Sequence, residues 1–398
     1  MTPSEIMLDK LCNHSFLSMW SYANPIRSDD GKELCDLLVV NSPWIIIFSI
    51  KEVHVASGKD PIVDMEKWVR KAVYASVKQI YGAERALNQG VKVVSSDRKH
   101  QIFIPDIAKC IFARIAVAIG RGDRFPLLYG NLGKGFVHTF DEVSLPIMLG
   151  ELDTISDFTK YLTDKENFFA QGKRLVCDSE ENMLALYLGS NRKFIDTGDY
   201  ILVDPESWNQ YLSKDEVLRK KRDDKESYIW DSILEEFYRD HREGVLYRNA
   251  AFHEIEYALR IMSKEDRFSR RVLSSELLDF VGFYSKPKVR SRLLSSPSGI
   301  TYVYLLAPHD ESNREERIRE LTLRCIVARS LKRHQPIVVG IATNQYVKGS
   351  GHSYDLFYME NKDWTPEMEE SANKIRDELG YFRDSLIKPA SYDEYPTS

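Results

Sequence analysis

The chain of 398 residues has few cysteines, little glycine and proline, and no long apolar run. None of its five cysteines is spaced as Cys-x-x-Cys, which argues against disulfide staples and a zinc knuckle and favours a reducing compartment. The 20 glycines and 15 prolines are too few for a collagenous or low-complexity chain. No apolar run approaches the ~18 residues of a membrane-spanning helix, and Glu5 and Asp9 do not suit a signal peptide. We therefore expect a cytoplasmic protein without a membrane partner.

Charge is distributed unevenly along the sequence. The net charge is −5 and the pI is about 6.1, so a nucleic-acid partner would have to meet a local basic patch. Residues 260–333, which include Arg267, Arg270 and Arg271, hold sixteen Lys and Arg against nine Asp and Glu. A basic stretch that follows two aromatic residues suits phosphate contacts, although a solvated helix face with its loop is the simpler interpretation. The residues predicted to bind nucleic acid are Lys286, Lys288, Arg290 and Arg292.

The apolar pattern of the first half predicts strands and helices in one α/β domain. Two runs rich in Val, Ile and Leu, ELCDLLVV and WIIIFSIKEV, predict a β-hairpin. From Met65, apolar residues recur at steps of three and four, which predicts a long amphipathic helix that Asp64 caps and Gly90 ends. Short strand candidates and further helical segments follow.

The second half predicts a separate α/β domain. TYVYLLA, REERIRELTLRCIVARSLKRH and PIVVGIAT form a strand–helix–strand pattern, and a closing helix is capped by Thr365. A shift in composition places the boundary between domains 1–190 and 191–398. The tail 389–398 is expected to be disordered.

Polar residues gather at one end of the predicted hairpin. Glu33 and Asp36 lie at the start of its first run, and Lys51 lies near the end of its second. Ser49 and Lys51 share one strand face because side chains alternate along a strand. Charged groups at the end of apolar strands must reach solvent or find a partner, because burying one alone costs several kcal/mol.

The expected register follows from the turn between the two runs. Pairing of Val40 with Trp44 would place Asp36 opposite Phe48, one position from Ser49. The four polar groups would then converge at the same end of the hairpin. An ordinary salt bridge that caps the hairpin would explain the same charges without any chemistry.

The chemistry that suits this cluster is metal-assisted hydrolysis of a phosphodiester. The carboxylates of Asp36 and Glu33 would hold Mg²⁺ or Mn²⁺ through oxygen ligands, and the metal would lower the pKa of a bound water. The ammonium group of Lys51 would orient that water and stabilise the negative charge that develops on the phosphate.

These residues resemble the PD-(D/E)XK nuclease superfamily, in particular its nuclease-related, RecB-like and Mrr-like branches. That pattern is an Asp at the start of a strand, a hairpin, and (D/E)-x-K on the next strand, between a glutamate-bearing helix and a helix that often carries glutamine. Asp36 resembles the metal ligand, Lys51 the lysine, and Gln79 the helical glutamine. The resemblance covers about residues 1–95, and it departs from the pattern at Ser49, which stands in the acid's place.

The resemblance implies a restriction-endonuclease-like mixed sheet flanked by helices, followed by the C-terminal α/β domain. It implies Asp36 and Glu33 as metal ligands, with Ser49 as a weak neutral ligand and Glu33 as the missing carboxylate. Glu52 is the less favoured substitute, because it points to the opposite strand face. Gln79 would position substrate or lysine.

The sequence thus predicts a Mg²⁺- or Mn²⁺-dependent nuclease with DNA favoured over RNA. Stand-alone nucleases of this kind resemble anti-phage defence effectors, which implies a defence-system partner protein or a homo-oligomer. The alternative is an interaction or regulatory protein that kept the fold and lost the metal site, as Ser49 allows.

Overall fold

The computed structural model divides the chain into two compact units, Met1–Leu218 and Arg219–Ser398. The predicted boundary at 190/191 lies inside the first unit, since a strand and a helix beyond it pair with elements before it. In the part of the chain described, no helix is long and apolar enough to cross a bilayer. The structure describes residues 1–55, 60–120, 127–195, 198, 200–246, 251–282, 289–308, 314–345, 353–383 and 392–396.

The first unit is a mixed α/β structure around one large sheet, as the sequence predicted. Among the described residues, its strands follow the order β1-β3-β4-β7-β9-β8, with β4, β7 and β9 parallel and β3 antiparallel to β4. Two smaller sheets, β2-β5-β6 and β10-β11, lie outside it. The strands are β1 (Ser21–Ala23), β2 (Ile26–Arg27), β3 (Leu37–Asn41), β4 (Trp44–Glu52), β5 (Val93–Val94), β6 (Gln101–Ile102), β7 (Ile111–Ile119), β8 (Gly130–Asn131), β9 (Phe136–Phe140), β10 (Arg174–Val176) and β11 (Tyr200–Leu202). The helices are α1 (Pro3–Phe16), α2 (Pro61–Trp68), α3 (Ala75–Asn88), α4 (Ser144–Glu151), α5 (Ile155–Ala170), α6 (Glu180–Gly189) and α7 (Ser207–Leu212), and a short 3₁₀ turn covers Ile107–Lys109. Helix α8 (Asp215–Asp223) begins in the first unit and ends in the second.

The β3–β4 hairpin has a two-residue turn. Asn41 pairs with Trp44 across it. The predicted pairing of Val40 with Trp44 is therefore wrong by one residue, because Asn41 belongs to the strand and not to the turn. In the observed register Asp36 comes directly across from Ser49.

The two faces of this sheet pack against different helices. One face is covered by α3, whose Val77 and Ile80 are buried in the same apolar cluster as Ile47 of β4. The other face packs on α1 and α5, where the rings of Phe16 and Phe158 lie 5.2 Å apart between centroids. Side chains alternate along a strand. Ser49 and Lys51, which follow Ile47 at steps of two residues, therefore also point to the α3 side.

A π-helical segment, Val69–Tyr74, joins α2 to α3. The cap of α2 is Asp60, whose side chain accepts a hydrogen bond from the first turn. The predicted cap at Asp64 is wrong, because the Asp64 N–H already donates to the Asp60 carbonyl at 3.1 Å. The predicted end of the long helix at Gly90 is confirmed. Gly90 follows α3 with φ of +76°, a conformation that glycine adopts without strain.

The second unit is a four-stranded mixed sheet with helices, within the residues described. Its strands follow the order β12-β13-β14-β15, with β13 and β14 parallel and joined through α12. The predicted strand–helix–strand pattern is thus confirmed, and Thr365 caps α13 as expected. The elements are α9 (Tyr228–Arg242), α10 (Phe252–Met262), α11 (Arg267–Gly282), β12 (Arg290–Ser295), β13 (Ile300–Ala307), α12 (Arg314–Leu331), β14 (Ile337–Asn344), β15 (Tyr354–Glu360) and α13 (Pro366–Leu379), with a 3₁₀ turn at Asp224–Ser227.

Residues 392–396 of the tail pack on the second unit. The Arg271 guanidinium donates to the backbone carbonyls of Asp393 and Glu394 at 2.7 and 3.2 Å. The predicted disorder is wrong for this segment, because charged groups of α8 and α11 hold it. The rest of the predicted disordered tail lies outside the described residues.

Candidate functional site

Three neighbouring strands end in a row of polar residues. The backbone N–H of Asn24, just after β1, donates to the carbonyl of Asp36 at 3.0 Å. Asp36, just before β3, lies across from Ser49 of β4. Residues opposite each other in neighbouring strands point to the same face, so these side chains all belong to the α3 face of the sheet.

Asp36 and Lys51 form an ion pair in this row. The Asp36 Oδ2 atom accepts a hydrogen bond from the backbone N–H of Ile50 at 2.7 Å and one from Lys51 Nζ at 3.3 Å. Asp36 is only 5% exposed, so of the two expected alternatives, solvent or a partner, it has the partner. The Lys51 side chain is 32% exposed, and its ammonium has three N–H donors, which leaves donors that a bound anion can contact.

Gln79 of α3 links the two candidate ligands that flank Asp36. Its Oε1 accepts from the Ser49 hydroxyl at 2.8 Å, and its Nε2 donates to Glu33 Oε1 at 3.4 Å. The helix packing on this face turns Gln79 toward the sheet, at the edge of the apolar stripe. The structure thus brings together Glu33, Asp36, Ser49, Lys51 and Gln79.

Two carboxyl groups of the site repel each other. Partial burial raises the pKa of Glu33, and the negative charge of Asp36 raises it further. The Asn24 amide opposes this rise by donating to Glu33 Oε2 at 3.1 Å. A pair of close carboxylates attracts a cation, because a positive charge between them removes their repulsion.

The raised pKa of Glu33 makes the stability of the protein depend on pH. The folded protein holds this proton more tightly than the unfolded chain, so the group stabilises the fold below its ordinary pKa of 4.5. That contribution is lost as the pH rises through the raised pKa. Glu33→Gln is therefore expected to gain stability over the wild type at pH 7 and to lose this advantage below pH 4.5, in urea unfolding without divalent cations. Parallel pH profiles for the two proteins would contradict this, and Glu66→Gln on the exposed face of α2 is the control.

Two residues near the site were not predicted as members of it. Asn24 Nδ2 also contacts Glu5 Oε2, at 3.4 Å, so Asn24 lies between two carboxylates. Glu5 caps α1 in a reciprocal box with Thr2. The spacing Thr-x-x-Glu could have identified that cap, whereas no local signal connects α1 with the hairpin.

Glu52, the less favoured substitute for the missing acid, lies apart from this cluster. Its carboxylate accepts from the Ser4 hydroxyl of α1 and contacts His54 at 3.1 Å. These partners fit a side chain on the opposite strand face, as the strand alternation predicted. Glu33 is the second carboxylate beside Asp36.

Much of the positive charge predicted for nucleic acid is neutralised inside the second unit. Arg267, Arg270 and Arg271 are buried and pair with Asp231 and Asp224. These two acids lie outside the window in which the charges were counted, so the count of +7 overstates the free positive charge of residues 260–333. Two of the predicted nucleic-acid residues, Lys286 and Lys288, lie outside the described residues.

Arg292 of β12 is also paired. Its guanidinium donates to Glu276 Oε2 at 2.6 Å and to Asp279 Oδ2 at 2.7 Å, and it lies over the Phe280 ring. These contacts give Arg292 a structural role, whereas Arg290 at the start of β12 stays a predicted phosphate ligand.

Reversing the charge at positions 290 and 292 tests both roles. Arg290→Glu with Arg292→Glu places new carboxylates beside Glu276 and Asp279, and we expect a loss of about 1–2 kcal/mol in unfolding free energy. If the strand also contacts DNA, the slope of log K against log salt should flatten by about 0.9 for each lost contact. Lys374→Glu, an exposed lysine of α13, is the control. Unchanged unfolding in the double variant would contradict the structural role.

Comparison with known proteins assigns no family: no family model, characterised protein or solved structure matches the chain. Within the described ranges, no group of three or more His, Cys, Asp and Glu could hold a metal ion. Two carboxylates and a neutral hydroxyl oxygen do occur together, at Glu33, Asp36 and Ser49. Mg²⁺ is usually held by one or two carboxylates and water, so this all-oxygen set suits it.

Proposed function

We propose that the first unit is a PD-(D/E)XK-like nuclease that hydrolyses phosphodiester bonds with Mg²⁺ or Mn²⁺, with DNA favoured over RNA. The observation that supports this is the contact of Lys51 with Asp36 at the end of β4, where Glu33 and Gln79 also meet. A role in anti-phage defence, with a partner protein or as a homo-oligomer, is part of the same proposal.

Each side chain has a separate task in this proposal. Asp36 and Glu33 hold the cation, which supplies a more acidic water and offsets the charge of the phosphate. Lys51 contacts Asp36 and directs its remaining N–H groups to the phosphate oxygens. Gln79 restrains Ser49 and Glu33, so that the second carboxylate stays near the first.

The experiment is cleavage of nucleic acid by the purified protein of 398 residues. Supercoiled plasmid DNA and single-stranded RNA are incubated with Mg²⁺, Mn²⁺ or EDTA, and products are followed on gels. Cleavage of DNA that requires the cation is expected. No cleavage of either substrate under any of these conditions would contradict the proposal.

A second candidate function is that of an interaction protein without nuclease activity. The observation that favours it is the neutral Ser49–Gln79 pair, which occupies the place of the acid in the (D/E)-x-K pattern. Calorimetric titration with Mg²⁺ and Mn²⁺ distinguishes the two candidates. The nuclease is expected to bind a cation, and the interaction protein is not.

A further inference from the structure

The side-chain carbonyl of Asn24 is a buried polar atom without a described use. Asn24 Oδ1 has no hydrogen-bond partner among the described residues, although a buried acceptor of this kind is costly to leave unpaired. The Nδ2 atom of the same amide donates to Glu33 at 3.1 Å and to Glu5 at 3.4 Å. The NH₂ group of the amide therefore donates both of its hydrogen bonds, whereas the carbonyl oxygen accepts none from the described residues.

The backbone fixes Asn24 beside the site. Its φ is +47°, in the left-handed region that Asn tolerates better than most residues. Its N–H donates to the Asp36 carbonyl, so its position is tied to the residue that also binds Lys51. Rotation about the last side-chain torsion can exchange the oxygen and nitrogen of the amide while the backbone stays in place.

We propose, on the basis of the proposed function, that Asn24 is a further member of the cation site and that its amide reverses when a cation binds. Without a cation, the NH₂ group takes the place of a positive charge between the Glu5 and Glu33 carboxylates. When a cation enters, those carboxylates need no donor, and the amide turns Oδ1 toward the ion. Amide oxygens are ordinary ligands of hard cations, so the turn exchanges the two N–H···O contacts of Nδ2 for a contact of Oδ1 with the ion.

The same step explains how a site with few acids can hold a cation. The negative charges of Glu33 and Asp36 repel each other, and Ser49 contributes no charge. An additional neutral oxygen from Asn24 completes the set without adding to the repulsion that already raises the pKa of Glu33. Glu5 then acts as a positioning residue, because it orients the amide while capping α1.

The first test is calorimetric titration with Mn²⁺. Asn24→Leu removes both the donor and the oxygen and keeps the branching of the side chain, and we expect Mn²⁺ to bind about 10–100-fold more weakly. Asn24→Asp keeps an oxygen and is expected to bind Mn²⁺ at least as tightly as the wild type at pH 7.5. In EDTA, however, its unfolding temperature should fall, because three carboxylates then face each other without a donor. Asn88→Leu, at the end of α3, is the control.

The second test follows the amide itself. In protein labelled with ¹⁵N-asparagine, the side-chain signals of Asn24 are those missing from the Asn24→Leu spectrum. Saturating Mg²⁺ is expected to shift these signals and to leave those of Asn88 in place. Unshifted Asn24 signals, or equal Mn²⁺ affinity of Asn24→Leu and wild type, overturn this inference alone. A wild-type protein that binds neither cation overturns the proposed function as well.

Discussion

Lys51→Ala is expected to lower the rate of cation-dependent DNA cleavage by about 10²–10⁴-fold, the range typical of a lost charge-stabilising or proton-transferring group. Asp36→Asn should have an effect of similar size, because it removes a proposed cation ligand and the charged partner of Lys51. The measurement is single-turnover cleavage of labelled DNA at saturating Mg²⁺. It separates the chemical step from binding.

These losses should come without unfolding. Lys51 is partly exposed, and the amide of Asp36→Asn still offers an oxygen to the Ile50 N–H, whereas Asp36→Ala would leave that buried donor unpaired. Lys109→Ala, which removes an exposed lysine in the same unit, is the matched control. Cleavage at the wild-type rate by both Lys51→Ala and Asp36→Asn would contradict the assignment of the site.

Asp231→Ala is expected to destabilise the second unit by about 3–5 kcal/mol, because it leaves two buried guanidinium groups without their carboxylate. Asp231 accepts from Arg267 Nη1 at 2.8 Å and from Arg270 Nη1 at 2.5 Å. The two arginines are 2% and 1% exposed. Water therefore cannot replace the lost partner.

Hydrogen exchange followed by mass spectrometry is the measurement of choice, since it assigns the loss to one of the two units. Peptides from 219–398 should exchange faster in Asp231→Ala, while those from 1–218 keep their rates. Asp377→Ala, which breaks an exposed ion pair with Arg383, should cost little. Equal exchange in the two variants would show that the buried network contributes no more than a surface pair.

The local features of the site could be predicted from the sequence, and the long-range ones could not. Alternation along β4 places Ser49 and Lys51 on one face, and the period of α3 places Gln79 at the edge of its buried stripe. Both patterns depend only on neighbours in the chain. The register failed by one residue because the sequence does not show whether Asn41 belongs to the turn or to the strand.

The charges of the second unit show a different limit. Counting Lys and Arg finds a basic segment, but the pairing of those charges depends on contacts distant in sequence. Arg270 lies 39 residues from its partner Asp231, and no spacing rule connects them. The sequence did not identify Asn24 for the same reason. Its place in the site depends on contacts with Glu5 and Glu33, which approach it only in the folded chain.

The π-helical segment Val69–Tyr74 has a consequence for how this chain can vary in evolution. Fully buried Trp68 precedes it and Gln79 follows it, and both must face the sheet. Each residue of a helix adds about 100° of rotation, so a deletion or insertion here would turn one of these side chains away. Loops tolerate such changes in length. In this segment, however, the number of residues fixes the direction of Gln79 about the helix axis relative to that of Trp68. Natural variants should therefore keep its length more strictly than its side chains.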